Sequence, residues 1–196
     1  MSFLNFYLSK ILEIPEDRLN LCGVQYETRD ISKHDFLLQA GEVCKYTFYV
    51  QKGLLRMYSI DKNGKEHIIQ FAPENWLISD RSSLHFHEKS VYYIEAVEDS
   101  EILFLPEDFF NKLLNEFPNS IEKNNLILQK HVKSLQDRIN SLLGETAEER
   151  YLKFIKMYPD LMMRVPQWMI ASYLGITPES LSRVRKELAK KKFIAD

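Results

Sequence analysis

Between Val165 and Leu188 the stretch VPQWMIASYLGITPESLSRVRKEL leaves the chain few choices. Ile170, Ala171 and Leu174 recur at helical spacing, and Gly175 follows them, the residue that enters the left-handed region at a helix end without a steric penalty. Thr177 supplies an N-cap oxygen. Pro178 stands at the first position of the next helix, where its missing N–H costs nothing. Leu181, Val184 and Leu188 then mark an inward stripe, and small Ala171 lets the two backbones cross closely. The spacing predicts a helix over Gln167–Leu174, a glycine turn and a second helix from Pro178, which is a helix-turn-helix.

At about 100° per residue, the positions opposite Leu181 and Leu188 are Glu179, Arg183, Lys186 and Lys190. A guanidinium grips O6 and N7 of guanine with two bonds, and a carboxylate accepts from N4 of cytosine. Glu179 and Arg183 are therefore expected to read adjacent G·C pairs. Gln167, Thr177, Ser180, Lys186 and Lys190 are expected at phosphates, and Ser182 completes the DNA-facing set. From Ile176 to Asp196 six basic residues (Arg183, Arg185, Lys186, Lys190, Lys191, Lys192) face three acids (Glu179, Glu187, Asp196). That local excess suits a phosphate backbone. The alternative is a helical hairpin whose outer face is merely solvated.

The whole chain, 196 residues with a net charge of −2, does not argue for general affinity for nucleic acid, so any such contact is expected from a local patch. Its length allows one or two domains, and two fit better. Only two cysteines occur, Cys22 and Cys44, which fits a reduced cytoplasmic protein with inert core thiols and excludes a four-cysteine iron–sulfur cluster within one chain. No apolar run approaches the roughly 18 residues of a membrane span, and the N-terminus lacks a basic start and a cleavage site. A soluble, unexported protein without a membrane partner is expected.

Leu4, Leu8, Ile11 and Leu12 predict an amphipathic helix before Pro15. From Gln25 to Pro106 the signal changes to short runs of Tyr, Phe, Ile, Val and Leu punctuated by Gly41, Gly53, Asn63-Gly64, Pro73 and Asp99-Ser100, giving about eight strands. The clearest hairpin pairs Leu54–Ile60 with Lys65–Phe71, Asn63-Gly64 supplying positive φ angles in the turn. Asp108–Glu116 predicts a short helix leaning on this roll through Phe109, Phe110, Leu113 and Leu114.

Ile121, Asn125, Leu128, Val132, Leu135, Ile139 and Leu142 follow at alternating spacings of four and three. With Ile121, Leu128, Leu135 and Leu142 at d, the a positions are Asn125, Val132 and Ile139. β-branched residues at a with leucine at d favour a parallel two-stranded coil, and a single Asn at a fixes its register. A homodimer is expected through this seam, the alternative being a lone helix packed on its own roll. Gly144 ends the helix, and Thr146 with Glu149 makes a capping box for the next, whose core face is Tyr151, Phe154, Ile155 and Tyr158. The fold class is α+β: a β-roll or jelly-roll sensor domain over 1–117, a dimerisation helix over 118–144 and a helix-turn-helix domain over 145–196.

This order of elements resembles the Crp/Fnr family of bacterial transcription regulators over nearly the whole chain. ITPESLSRVRKEL carries the most specific part, with Glu179 and Arg183 falling where the family's base-reading glutamate and arginine fall. GEVCKYTFYVQKGLLRMYSIDKNGKEHIIQFAPENW is similar to the family's cyclic-nucleotide-binding domain, with Gly41-Glu42, Gly53 and Gly64 in register. The resemblance implies a non-enzymatic, dimeric regulator with double-stranded DNA, RNA polymerase and a small-molecule effector as partners. Two departures stand out. Pro178 stands where the family's arginine reads a further base, and with eight residues after Leu188 a truncated two-stranded wing is expected, Lys190 to Lys192 being expected to take over some of its phosphate contacts.

Family members that bind cyclic AMP hold its phosphate with a Gly-Glu pair and a later Arg followed by Ser or Thr. The matching positions here are Ser79 and Asp80, then Lys89 and Ser90, with Arg81 present at the wrong spacing. The glycine and the arginine are gone, and Lys89 lacks the planar fork of a guanidinium. These five residues are the candidate effector pocket, with no cofactor and no cyclic nucleotide expected in it.

A rival signal is His85-Phe86-His87-Glu88. On a strand, alternate histidines project from one face, as in cupin-like metal proteins. The glycine usual before that pair is absent and no later histidine lies in the roll, so polar surface histidines in a loop and no metal are expected. His34, His67 and His131 add no site. A ligand-binding module that has lost DNA reading is the remaining alternative.

Overall fold

In a computed structural model of the chain, which describes residues 8–9, 12–14 and 25–195, Phe48 and Val50 point into one apolar cluster and Tyr49, between them, points into another. The same alternation runs along Ile102, Leu103, Phe104 and Leu105. Successive side chains of a strand leave opposite faces, so strands this apolar must be covered on both sides.

Among the described residues eight strands supply those faces: β1 (Glu27–Ile31), β2 (Phe36–Leu38), β3 (Tyr46–Lys52), β4 (Leu55–Ile60), β5 (Glu66–Ala72), β6 (Leu77–Ile78), β7 (Tyr93–Ala96) and β8 (Ser100–Pro106). They form two four-stranded sheets, ordered β1-β8-β3-β6 and β2-β7-β4-β5. The first apolar cluster, including Phe48, Val50, Leu55, Met57, Ile94, Ile102 and Phe104, draws on both sheets. The second joins Leu8, Leu12, Ile14, Tyr49, Leu103 and Leu105 to Phe109 and Leu113 of a short helix. The expected roll and the helix leaning on it are both present. The amphipathic N-terminal helix falls mostly outside the described residues, as does Cys22, while Cys44 is buried, and burial pushes its thiol above the ordinary value.

Seven α-helices follow among the described residues: α1 (Arg81–Phe86), α2 (Phe109–Glu116), α3 (Ile121–Gly144), α4 (Ala147–Met157), α5 (Leu161–Arg164), α6 (Gln167–Leu174) and α7 (Pro178–Ala195). The capping box forms as expected: Thr146 Oγ1 accepts from the Glu149 N–H, and the Glu149 carboxylate accepts from the Thr146 N–H. None of these helices is long and apolar enough to cross a membrane.

Two sequence expectations change. The β4–β5 turn was expected to take positive φ at both Asn63 and Gly64, but only Gly64 has it, at 80°. Asp61 explains the difference: its carboxylate accepts from the N–H groups of Asn63 and Lys65, stabilising a four-residue loop with one left-handed residue. The second change is at 81–86, where a helix stands in place of a loop, because Asp80 caps it by accepting from the Ser83 N–H.

Two compact units divide the chain, one formed by residues 1–60 and 69–130, the other by residues 61–68 and 131–196. The division falls within α3 and assigns the β4–β5 turn to the unit that holds the C-terminal helices.

Candidate nucleic-acid interface and sensor pocket

In the C-terminal unit, Met169, Ile170, Ala171, Leu174, Leu181 and Val184 are buried. Gly175 adopts φ 66°, its N–H reaching the carbonyls of Ala171 and Ser172. Thr177 Oγ1 accepts from the Ser180 N–H at 3.2 Å, which fixes the start of α7. The two helices are thus held by the local signals that the sequence carries.

Glu179, Ser182, Arg183, Lys186 and Lys190 are all exposed on α7, as are Gln167 at the start of α6 and Thr177 at the turn; Ser180 is half-buried. The Glu179 carboxyl is held below the ordinary glutamate value, first by its own backbone N–H and then by the Thr177 hydroxyl. It is therefore an ionised acceptor at a helix N-terminus. Side chains beyond Lys190 lie outside the described residues, among them Lys191 and Lys192.

Sequence reasoning missed two arginines that shape this unit. Arg150 donates from Nη1 to the Leu174 carbonyl. Arg138 donates to the Tyr173 carbonyl at 3.0 Å and lies 3.7 Å from the centre of the Tyr173 ring. Cations at these final carbonyls of α6 offset the negative end of its dipole. Arg138 occupies position g of the heptad, beside the seam residue Ile139.

Along α3 the seam residues Ile121, Asn125, Val132, Leu135, Ile139 and Leu142 are exposed, Ile139 by 59%, and Leu128 is half-buried. Ile127, off the seam, packs against the second apolar cluster of the roll.

The candidate effector residues are only partly brought together. Ser90 donates from Oγ to Asp80 Oδ2 at 2.7 Å, and both are buried. The Ser90 Oγ also accepts from the Tyr92 N–H, while its backbone exchanges hydrogen bonds with Gly41 and Glu42. Arg81 and Lys89 point to solvent, and Ser79 is half-buried. Nearby, Leu37, Leu38, Glu42, Val43, Cys44, Lys45, Tyr46 and Phe48 line a cavity of about 320 Å³. The Cys44 N–H donates to Ser83 Oγ at 2.8 Å, tying that wall to α1.

The histidine pair does not share a strand face. His85 lies in the last turn of α1, and His87 follows with φ 55° as its left-handed C-cap, its Nε2 3.8 Å from Glu107. Among the described residues no three His, Cys, Asp or Glu side chains gather as a metal site. The cupin-like alternative loses its geometry because the segment is helical.

Residues 28–117 match the cyclic nucleotide-binding domain family. The fumarate and nitrate reduction regulatory protein of Yersinia pestis is 24% identical over 178 residues, covering 85% of this chain and 70% of its own. Regulatory protein HlyX of Actinobacillus pleuropneumoniae is 23% identical over 167 residues, covering 80% and 69%. The solved structure of FixK2 from Bradyrhizobium japonicum superposes with a TM-score of 0.73 at 19% identity, covering 86% of this chain and 87% of that one. The fold is that of FixK2, and residues 28–117 are similar to a cyclic nucleotide-binding domain. Regulators of the Crp/Fnr family are among the chain's homologues and structural neighbours.

Proposed function

We propose that the chain is a dimeric, cytoplasmic transcription regulator that sets two α7 helices into successive major grooves of a pseudo-palindromic DNA site. The observation that carries this reading is the division of α7 into two faces. Leu181 and Val184 are buried against α6, while Glu179, Arg183, Lys186 and Lys190 are exposed on the other side. Glu179 and Arg183 read bases; Gln167, Thr177, Ser180, Ser182, Lys186 and Lys190 meet or approach the backbone. Dimerisation runs through the exposed a and d residues of α3, whose burial would remove a continuous apolar stripe from water. RNA polymerase is the further partner through which binding changes transcription.

The signal is something other than a cyclic nucleotide. A cyclic phosphate needs donors, and the residues at its position do not fit it. Asp80 brings a carboxylate, Ser90 is committed to that carboxylate, and Lys89 and Arg81 face away into solvent. An effector elsewhere in the roll acts by binding one of two arrangements more tightly than the other.

The test is a footprint of purified protein on DNA fragments from upstream of its own gene. Protection of two half-sites one helical turn apart is the expected result. Absence of protection at low salt, with protein shown to be folded, contradicts the reading.

A further inference from the structure

β5 lies at the edge of its sheet, so one side of its backbone has no neighbouring strand. The first groups on an edge of this kind must find other partners or water. In a strand the N–H and C=O of one residue and the C=O two residues earlier point the same way. Here those three groups are the Ile68 N–H, the Ile68 carbonyl and the Glu66 carbonyl, and helix side chains meet all of them.

Ser172 Oγ accepts from the Ile68 N–H at 3.0 Å and donates to the Glu66 carbonyl at 2.9 Å. One hydroxyl thus does for this edge what a paired residue of another strand would do. Arg138 Nη2 donates to the Ile68 carbonyl at 3.3 Å and also to the Tyr173 carbonyl. Its guanidinium stacks on the Tyr173 ring, which packs in turn on Phe154 of α4 and on Tyr158 at the end of that helix. Ser172 and Tyr173 are the two residues before Leu174 and Gly175, where α6 turns toward α7.

We infer that the edge of β5 is a positioning element for DNA reading, clamping the C-terminal turn of α6 through Ser172 and Arg138, so that displacement of the β4–β5 hairpin alters sequence-specific binding. The inference rests on the DNA-binding reading above. Ser172 and Arg138 are positioning residues: they act on the helix pair and touch no base. A strand edge suits this role because its groups are spaced by the backbone itself, and a shift along the strand breaks both bonds to Ser172 at once.

The experiment compares wild type with Ser172→Ala, Ser172→Thr and Arg138→Lys in fluorescence anisotropy titrations on a footprinted site and on unrelated DNA over a range of salt. Amide hydrogen exchange at Ile68 is followed in parallel. Loss of the hydroxyl should weaken binding to the specific site roughly three- to tenfold, the range for a hydrogen bond or two. Binding to unrelated DNA and the salt slope should not change, because no phosphate contact is lost. Exchange at Ile68 should accelerate, and Ser172→Thr should restore both properties. Arg138→Lys should give a smaller loss of the same kind, since a lysine keeps the charge but not the stack.

Wild-type binding with no effect of Ser172→Ala on specificity overturns the clamp and leaves the DNA reading intact. A reduced salt slope also overturns it, because Ser172 would then be a phosphate contact. Failure of the wild type to prefer any site overturns both.

Discussion

Arg56 and Glu95 face each other across β4 and β7 with Nη2 2.6 Å from Oε2, and their side chains are only 6% and 5% exposed. They lie on the face of their sheet opposite Leu55, Met57, Ile94 and Ala96, where Tyr58 and His34 also bond to the Glu95 carboxylate. Removing the arginine leaves a buried carboxylate with fewer donors. Arg56→Ala should cost about 3–5 kcal/mol of stability, measured by urea unfolding. A loss below about 1 kcal/mol would mean that water replaces the guanidinium.

The same carboxyl gives the roll a pH dependence. Burial raises the Glu95 pKa, but hydrogen bonds from His34, Arg56 and Tyr58 and the charge of Arg56 outweigh it, so the folded value lies below the ordinary one. A folded pKa below the unfolded one stabilises above the ordinary glutamate range and is lost as pH falls through the folded value. The stability difference between wild type and Glu95→Gln should therefore be constant near neutrality and shrink in acid. A difference that does not change with pH would remove Glu95 from this role.

Gly53 and Gly64 separate two demands on glycine. Both have positive φ, 96° and 80°, but a Cβ on Gly53 would lie 2.7 Å from the Ser100 backbone, whereas nothing lies within 4 Å of one on Gly64. Gly64→Ala should cost about 1 kcal/mol, for conformation alone. Gly53→Ala should cost clearly more, since a steric overlap adds to the same strain. Equal thermal midpoints for the two variants would contradict this.

Base reading and phosphate binding should separate by substitution. Arg183→Ala should cost about 1–3 kcal/mol on the cognate site and relax preference at one base pair. Lys190→Ala should weaken binding to all sequences alike and lower the salt slope by about one. Titration of both variants on cognate and altered sites distinguishes them. A sequence-selective loss from Lys190→Ala would put that lysine at a base.

A charge in the α3 seam tests the dimer. Leu135→Glu places a carboxylate in each helix at a position that a two-stranded coil buries, and like charges brought together there repel. Sedimentation should show a dimer for wild type and a monomer for the variant, with α-helical content kept in the C-terminal unit. A wild-type monomer at micromolar concentration would exclude the seam.

The parts legible in the sequence were those with local causes. Gly175, Thr177 and Pro178 each act on the few residues beside them, so the helix-turn-helix could be read from its punctuation. The strands were legible because apolar runs on two-faced strands need no partner to be recognised. Arg56 was not, since a polar residue on alternate strand positions reads as solvent-facing, and its partner Glu95 stands 39 residues away. His85 and His87 were tested as a strand pair, and the capping carboxylate of Asp80 turns the segment into a helix. Arg138 was not legible, because its bonds to Ile68 and Tyr173 follow from tertiary structure alone.

The bond from Ile68 to Ser172 spans 104 residues. At roughly 5–20 residues per second of synthesis, the hairpin waits about 5–20 s on the ribosome before its serine is made. The residues of the hairpin are thus made before those of α6, and the Ile68 N–H must bond water until Ser172 is in place. Synthesis order therefore makes the strand edge the earlier half of this contact and the serine hydroxyl the later one.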